Sequence, residues 1–231
     1  MIFSPDDIIL SDFDDTQFRT DELKRDINRK AEELGIKDRY QKLYEKELRG
    51  VHRDADRRVD DNYIDLELVC ERLGLETGKD PKDIYQKLYL DHDFQSFVLP
   101  GTKEFFEYAK SFGVDLRLIT QGDSFQNEKL RRSGICMLFE SIQTTDDKPT
   151  LFRELIPELQ QDGKKVWVID DKPDILELAA QFGAKTIWIR YGKYAESKTE
   201  LDVTFQGRNL GEVHQMIAPE LFETRTELRR V

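Results

Sequence analysis

Short apolar runs that end on polar residues alternate along this chain with stretches of helical spacing, and that alternation leaves few folds open. Ile8–Leu10 ends at Ser11-Asp12, Val114–Ile119 at Thr120-Gln121-Gly122, and Lys165–Ile169 at Asp170-Asp171. Further runs span Phe139–Gln143 and Thr186–Arg190. Short apolar runs bounded by polar residues read as buried strands. Between them, helices are expected after Leu99-Pro100-Gly101 with Thr102 as the cap, over about 124–132, from Lys148-Pro149 through Leu159, and over about 174–182. Strands separated by helices require right-handed crossovers. The prediction is an α/β fold, with a Rossmann-like parallel sheet carrying helices on both faces.

One stretch breaks the alternation. Residues 19–97 show helical periodicity, as in Ile64, Leu66, Leu68, Val69 and Leu73, and no convincing strand. The expected organisation is therefore an α/β core of residues 1–18 joined with 98–231, and an inserted α-helical cap of residues 19–97. The insertion leaves directly after the first strand, at the carboxyl ends of the sheet where ligands bind in such folds, and is placed to act as a lid.

Composition narrows the function. Hydrophobic residues make up 38% of the 231 residues and charged ones 36%, enough apolar material for a core beneath a heavily charged surface. A net charge of -11 disfavours nucleic acid and anionic membranes as partners, since both call for excess Lys and Arg. No apolar stretch approaches the ~20 residues of a membrane span, and the first residues lack a signal-peptide pattern, so a cytoplasmic protein is expected. Cys70 and Cys136 sit in apolar surroundings as small buried thiols, and His52, His92 and His214 have no metal-ligand spacing.

What remains is an ordered set of polar residues at strand ends: Asp12 and Asp14, then Thr120, then Lys148, then Asp170 and Asp171 with Asp174 one helical step on. Singly, each reads as a helix cap or a solvated side chain. Together they converge on one edge of a parallel sheet. In this order the chain resembles the haloacid dehalogenase superfamily, in its capped phosphatase branch. Asp12, Asp14 and Thr16 match its Asp-x-Asp-x-Thr, Thr120 and Gly122 its Thr-x-Gly, Lys148 and Pro149 its Lys-Pro, and Asp170 and Asp174 its Asp-x-x-x-Asp. Two positions depart: Asp15 stands where the family commonly has Gly, and Ile169 precedes Asp170 where Gly is frequent. Asp171 is left open as a metal ligand, an acceptor behind the ligands or a helix cap; Asp174 and Thr16 are expected in such supporting places.

The resemblance implies a Mg2+-dependent phosphomonoester hydrolase acting on a small phosphorylated metabolite. Asp12 would be the nucleophile that forms an aspartyl-phosphate. Asp14 would donate a proton to the leaving oxygen and then activate water, which requires the two carboxyl groups to differ in protonation. Thr120, Lys148 and the backbone around Gln121 would hold the phosphate. The expected metal ligands are Asp12, Asp170 and the backbone carbonyl of Asp14, an all-oxygen set that suits Mg2+. A phosphomutase would share these residues, and a catalytically silent binding protein could share the scaffold. In the cap, Arg49, His52, Arg53, Arg57 and Arg58 are read as a solvated charged face with a possible part in closure. The pairs Tyr40/Tyr44 and Tyr85/Tyr89, spaced four apart, are read as helix packing.

Overall fold

A computed structural model describes residues 2–53, 64–122, 124–161, 163–198, 200 and 202–219, with the backbone alone for residues 48–53. Six strands form one sheet: β1 (Ile8–Ser11), β2 (Asp115–Thr120), β3 (Ser141–Thr144), β4 (Val166–Asp170), β5 (Lys185–Ile189) and β6 (Phe205–Gly207). Their order is β3-β2-β1-β4-β5-β6, and every pairing is parallel. β1 lies between β2 and β4, so the chain leaves it toward opposite halves of the sheet and a crevice opens at its carboxyl end. Ser11 is level with Leu118 and Ile169, which brings Asp12, Thr120 and Asp170 to the same rim.

The period of two sorts the strand side chains between two layers. Ile9, Trp167 and Ile169 pack on the face covered by α5 (Thr102–Ser111), α6 (Ser124–Ser133) and α9 (Leu210–Ile217). Ile8, Leu10, Val166 and Val168 pack on the other face, against α7 (Lys148–Gln160) and α8 (Pro173–Gln181). Fully buried aliphatic side chains such as these each contribute about 1.5–3 kcal/mol relative to exposure. That double burial is what makes β1 and β4 read as unbroken apolar runs. β3 is exposed along its length at the sheet edge, and β6, short and half polar, was not foreseen from the sequence.

Between β1 and α5 the described elements are helical: α1 (Thr20–Glu33), α2 (Lys37–Arg53), α3 (Leu66–Thr77), α4 (Pro81–Tyr85), a π turn at Gln86–Leu90 and a 3-10 turn at Phe94–Phe97. The chain's departure and return pair with each other. Arg19 N–H donates to Phe97 O at 2.8 Å and Leu99 N–H to Gln17 O at 2.8 Å, around an antiparallel bridge between Phe18 and Val98. Leu23, Ile27, Tyr40 and Tyr89 of this segment join the same apolar layer as Phe13 and Phe105. The two tyrosine pairs do pack, with ring centroids 5.7 Å apart for Tyr40 and Tyr44 and 5.3 Å for Tyr85 and Tyr89. Arg57 and Arg58, and the side chains of Arg49, His52 and Arg53, lie outside the described residues. Thr102 is not a cap: Gly101 holds that position at φ 75°, and the Thr102 hydroxyl donates back to Leu99 O at 2.8 Å. No helix among the described residues is long and apolar enough to cross a membrane.

Candidate active site

Asp12 extends the β1 ladder by one bond, its N–H donating to Ile169 O at 2.9 Å, and so stands beside Asp170 at the end of β4. A turn then folds back on Phe13, whose carbonyl accepts from the N–H groups of Thr16, Gln17 and Phe18 at 3.3, 2.9 and 3.1 Å. Asp15 takes φ 53° in this turn, the left-handed conformation that Gly adopts freely and Asp tolerates. Its Oδ1 accepts the Thr20 N–H at 3.1 Å, which ties the turn to the start of α1.

Lys148, first residue of α7 and 1% exposed, reaches between two carboxylates. Its Nζ bonds Asp12 Oδ1 and lies 3.1 Å from Asp170 Oδ2. Burial alone would lower its pKa, but the charges of Asp12 and Asp170 outweigh it and hold the ammonium well above its ordinary value. Thr16 donates to the other Asp12 oxygen at 3.3 Å. Burial pushes the Asp12 carboxyl up to about 6, with Lys148 opposing and Asp170 adding to the rise.

Asp171 completes a group of acids. One oxygen from each of Asp12, Asp170 and Asp171 lies within 4.8 Å of the others. Asp171 is 3% exposed and its Oδ1 has no hydrogen-bond partner among the described residues, while burial together with Asp170 and Asp12 pushes its carboxyl up to about 9. An orphaned buried oxygen is costly, and the three crowded acids repel one another when ionised, which Lys148 and Lys172 offset only in part. A hard cation with oxygen ligands would relieve both. Asp171, open in the sequence, thus belongs with Asp12 and Asp170, whereas Asp174 is exposed in the first turn of α8.

The Asp14 carboxylate is not part of that trio. It accepts from Lys129 Nζ at 2.6 Å and from the Thr20 hydroxyl. Burial raises its pKa, but the Lys129 charge and hydrogen bonds from Lys129, Thr20 and Gln126 more than offset this, and the net shift is downward. The two carboxyl groups are thus shifted in opposite directions, and Asp14, expected as the proton donor, is the more readily ionised of the two. Lys129 is buried among aromatic rings, 5.7 Å from the Phe13 centroid and 5.9 Å from those of Phe18 and Phe125. Sequence reading passed over it, although a signal existed: Gln126, Lys129, Leu130 and Ser133 form the buried stripe of α6, and a lysine on such a stripe needs a partner.

Thr120 is buried at the end of β2, with its Oγ1 accepting from Gln126 Nε2 at 2.8 Å. Gln121 is tethered by Asp146 O at 3.0 Å and by Lys172 Nζ at 3.3 Å, and Lys172, also unforeseen, donates its N–H to Asp170 Oδ1 at 2.9 Å. Asp12, Asp14, Thr120, Gln121, Asp171 and Lys172 line a chamber of about 280 Å³. A second cavity of about 580 Å³ shares Asp14, Thr20, Lys24 and Gln121 with it and extends between α1, α2 and α6.

The family model of haloacid dehalogenase-like hydrolases matches residues 7–183. A haloacid dehalogenase-like hydrolase from Burkholderia xenovorans LB400 superposes with a TM-score of 0.67 at 21% identity, over 90% of this chain and 96% of its own. A phosphatase of the same superfamily from Thermococcus onnurineus gives 0.57 at 19% identity, over 91% and 97%. A dehalogenase in an intermediate complex gives 0.58 at 19%, over 93% and 98%. Among curated proteins none matches the chain in sequence.

Proposed function

We propose that this chain, which belongs to the haloacid dehalogenase-like hydrolases, hydrolyses phosphomonoesters with the aid of a divalent cation, Mg2+ being the best fit. The observation that carries this reading is the Asp12, Asp170 and Asp171 group with its orphaned oxygen, set beside Lys148 at a chamber that Asp12, Asp14 and Asp171 line. Haloacid dehalogenation would need the nucleophile but neither an acid at position 14 nor a cation site.

Asp12 attacks phosphorus, forming its own P–O bond as the bond to the leaving oxygen breaks. Asp14, at the chamber wall, gives that oxygen a proton and then takes one from the water that cleaves the aspartyl-phosphate. Asp14 is ionised in the resting site, so the proton it gives must arrive with the substrate, and the monoanionic form of a phosphomonoester carries one. Thr120, Lys148 and the backbone at Gln121 face the phosphate oxygens. Asp12, Asp170 and Asp171 would hold Mg2+, with the Asp14 carbonyl by family resemblance, and its charge would offset the repulsion between Asp12 and an anionic substrate. The helices of residues 19–97 serve as the cap over this chamber.

The purified protein should release inorganic phosphate from a panel of phosphomonoesters with Mg2+ and not with EDTA. Asp12→Asn should abolish release while the melting temperature stays near that of the wild type. Undiminished turnover in that variant would overturn the mechanism.

A further inference from the structure

The walls of the two adjoining spaces differ in chemistry. The smaller, around Asp12, is lined by acids, lysines and Thr120; the larger is walled by Leu23, Ile27, Tyr40, Tyr44, Tyr89 and Phe125. Asp14 lies in both walls, so the proton donor sits where a leaving oxygen would pass from one to the other. Building on the phosphomonoesterase reading, we propose that the alcohol this site releases carries an uncharged aromatic or heteroaromatic body, seated among Tyr40, Tyr44, Tyr89 and Phe125.

Size, surface and charge each support this. A cavity of about 580 Å³ is in the range that encloses multi-ring organic ligands. A glycerol-sized leaving group would leave most of it as water against apolar walls, whereas a ring system displaces that water and meets aromatic faces and edges. The described lining lysines are already paired. Lys129 is held by Asp14 at 2.6 Å and Lys24 by Asp21 at 3.7 Å. Among the described lining residues, a leaving group bearing a second phosphate or a carboxylate would find little compensation. Polar tips for a heteroatom are present: the Tyr40 and Tyr89 hydroxyls lie 3.5 Å apart, and the amide of Gln41 donates to Asn28 Oδ1 at 3.1 Å. Burial pushes both phenols upward, so they stay neutral hydrogen-bonding groups.

The test compares kcat and KM, with Mg2+, for naphthylmethyl phosphate, benzyl phosphate, glycerol 3-phosphate, glucose 6-phosphate and fructose 1,6-bisphosphate. The aromatic esters should lead by about tenfold or more in kcat/KM, mainly through KM. Ile27→Phe, which fills the cavity, and Tyr44→Ala, which removes a wall, should each cut that lead by about tenfold and leave glycerol 3-phosphate within about twofold. Melting curves identify any variant that fails to fold, and the other variant then carries the comparison. A preference for a sugar phosphate, glycerol 3-phosphate or the bisphosphate, or equal losses on all esters in both variants, overturns the inference and leaves the phosphatase reading standing. No release from any ester overturns that reading instead. Calorimetry with naphthylmethanol then decides the cavity by itself: binding to the wild type that Ile27→Phe abolishes supports an aromatic occupant, and no binding overturns it.

Discussion

Asp12 and Asp14 stand two positions apart and meet opposite surroundings. Asp12 is shielded from solvent beside other acids, and Asp14 lies against Lys129, Thr20 and Gln126. If Asp14 is the proton donor, its loss should depend on the leaving group. Asp14→Asn should slow release of an alkyl alcohol by about 10²–10⁴-fold, and should slow release of nitrophenol far less, since that oxygen departs without a proton. Equal losses on both esters would assign Asp14 a positioning role only. How legible these residues were follows from where they sit. Asp12, Thr120 and Asp170 end apolar strands, and a strand end is visible in a sequence. Asp171 could not be assigned because the turn after β4, and not the strand period, decides where its side chain goes. Lys129 was hidden for a different reason. It reaches Asp14 across 115 positions of chain, and nothing local sets it apart from the other 35 of the 36 basic residues except its place on the buried stripe of α6.

Elements that carry an apolar face were the easiest to foresee, and their junctions the hardest. β1, β2, β4 and β5 follow from runs of buried residues, and α5, α7 and α8 from helical spacing with start signals such as Asp147-Lys148-Pro149, where Asp147 accepts the Thr150 N–H at 2.9 Å. β6 carries one half-buried Phe, one exposed Gln and one buried Gly, too little pattern to read. The contact between helix starts was equally silent. Gly101 precedes α5 with φ 75°, and a Cβ there would lie 2.1 Å from Gly211 Cα, in the first turn of α9. Neither backbone can yield without unseating its helix, since Gly211 N–H also donates to Pro100 O at 3.1 Å. Gly101→Ala should therefore destabilise by about 2 kcal/mol or more, from left-handed strain plus overpacking, as read by urea denaturation. A change below about 0.5 kcal/mol would show that the two helix starts separate easily.

For the whole molecule, the carboxylate trio links folding to pH and to cation. Asp171 is raised from 3.8 to about 9 and Asp12 from 3.8 to about 6, so the folded chain keeps protons that the unfolded chain has already released. Stability from these two groups is greatest below pH 3.8 and declines as pH rises, through about 6 for Asp12 and about 9 for Asp171. Asp14, whose pKa is lowered, contributes the other way, with stability that is present above its ordinary range and lost in acid. Between pH 6 and 9 the Asp171 term acts without opposition from Asp14, and the EDTA-treated protein should melt at progressively lower temperature. Mg2+ needs the ionised trio, so at one fixed concentration it should restore more stability at pH 9 than at pH 6, the gain reaching about 2.7 kcal/mol where Mg2+ is in hundredfold excess over its Kd. Asp171→Asn separates this linkage from general charge repulsion in a chain of net charge -11. Without Mg2+ at pH 8 it removes the cost of taking up a proton at Asp171 on folding and should stabilise by about 1–3 kcal/mol, with a flatter pH dependence. With Mg2+ the same variant should show little further gain, because one of the three ligands is gone. Scanning calorimetry across pH, with and without Mg2+, reads both effects. A variant that still gains as much from Mg2+ as the wild type would remove Asp171 from the cation site and leave its raised pKa a consequence of burial beside Asp170 and Asp12.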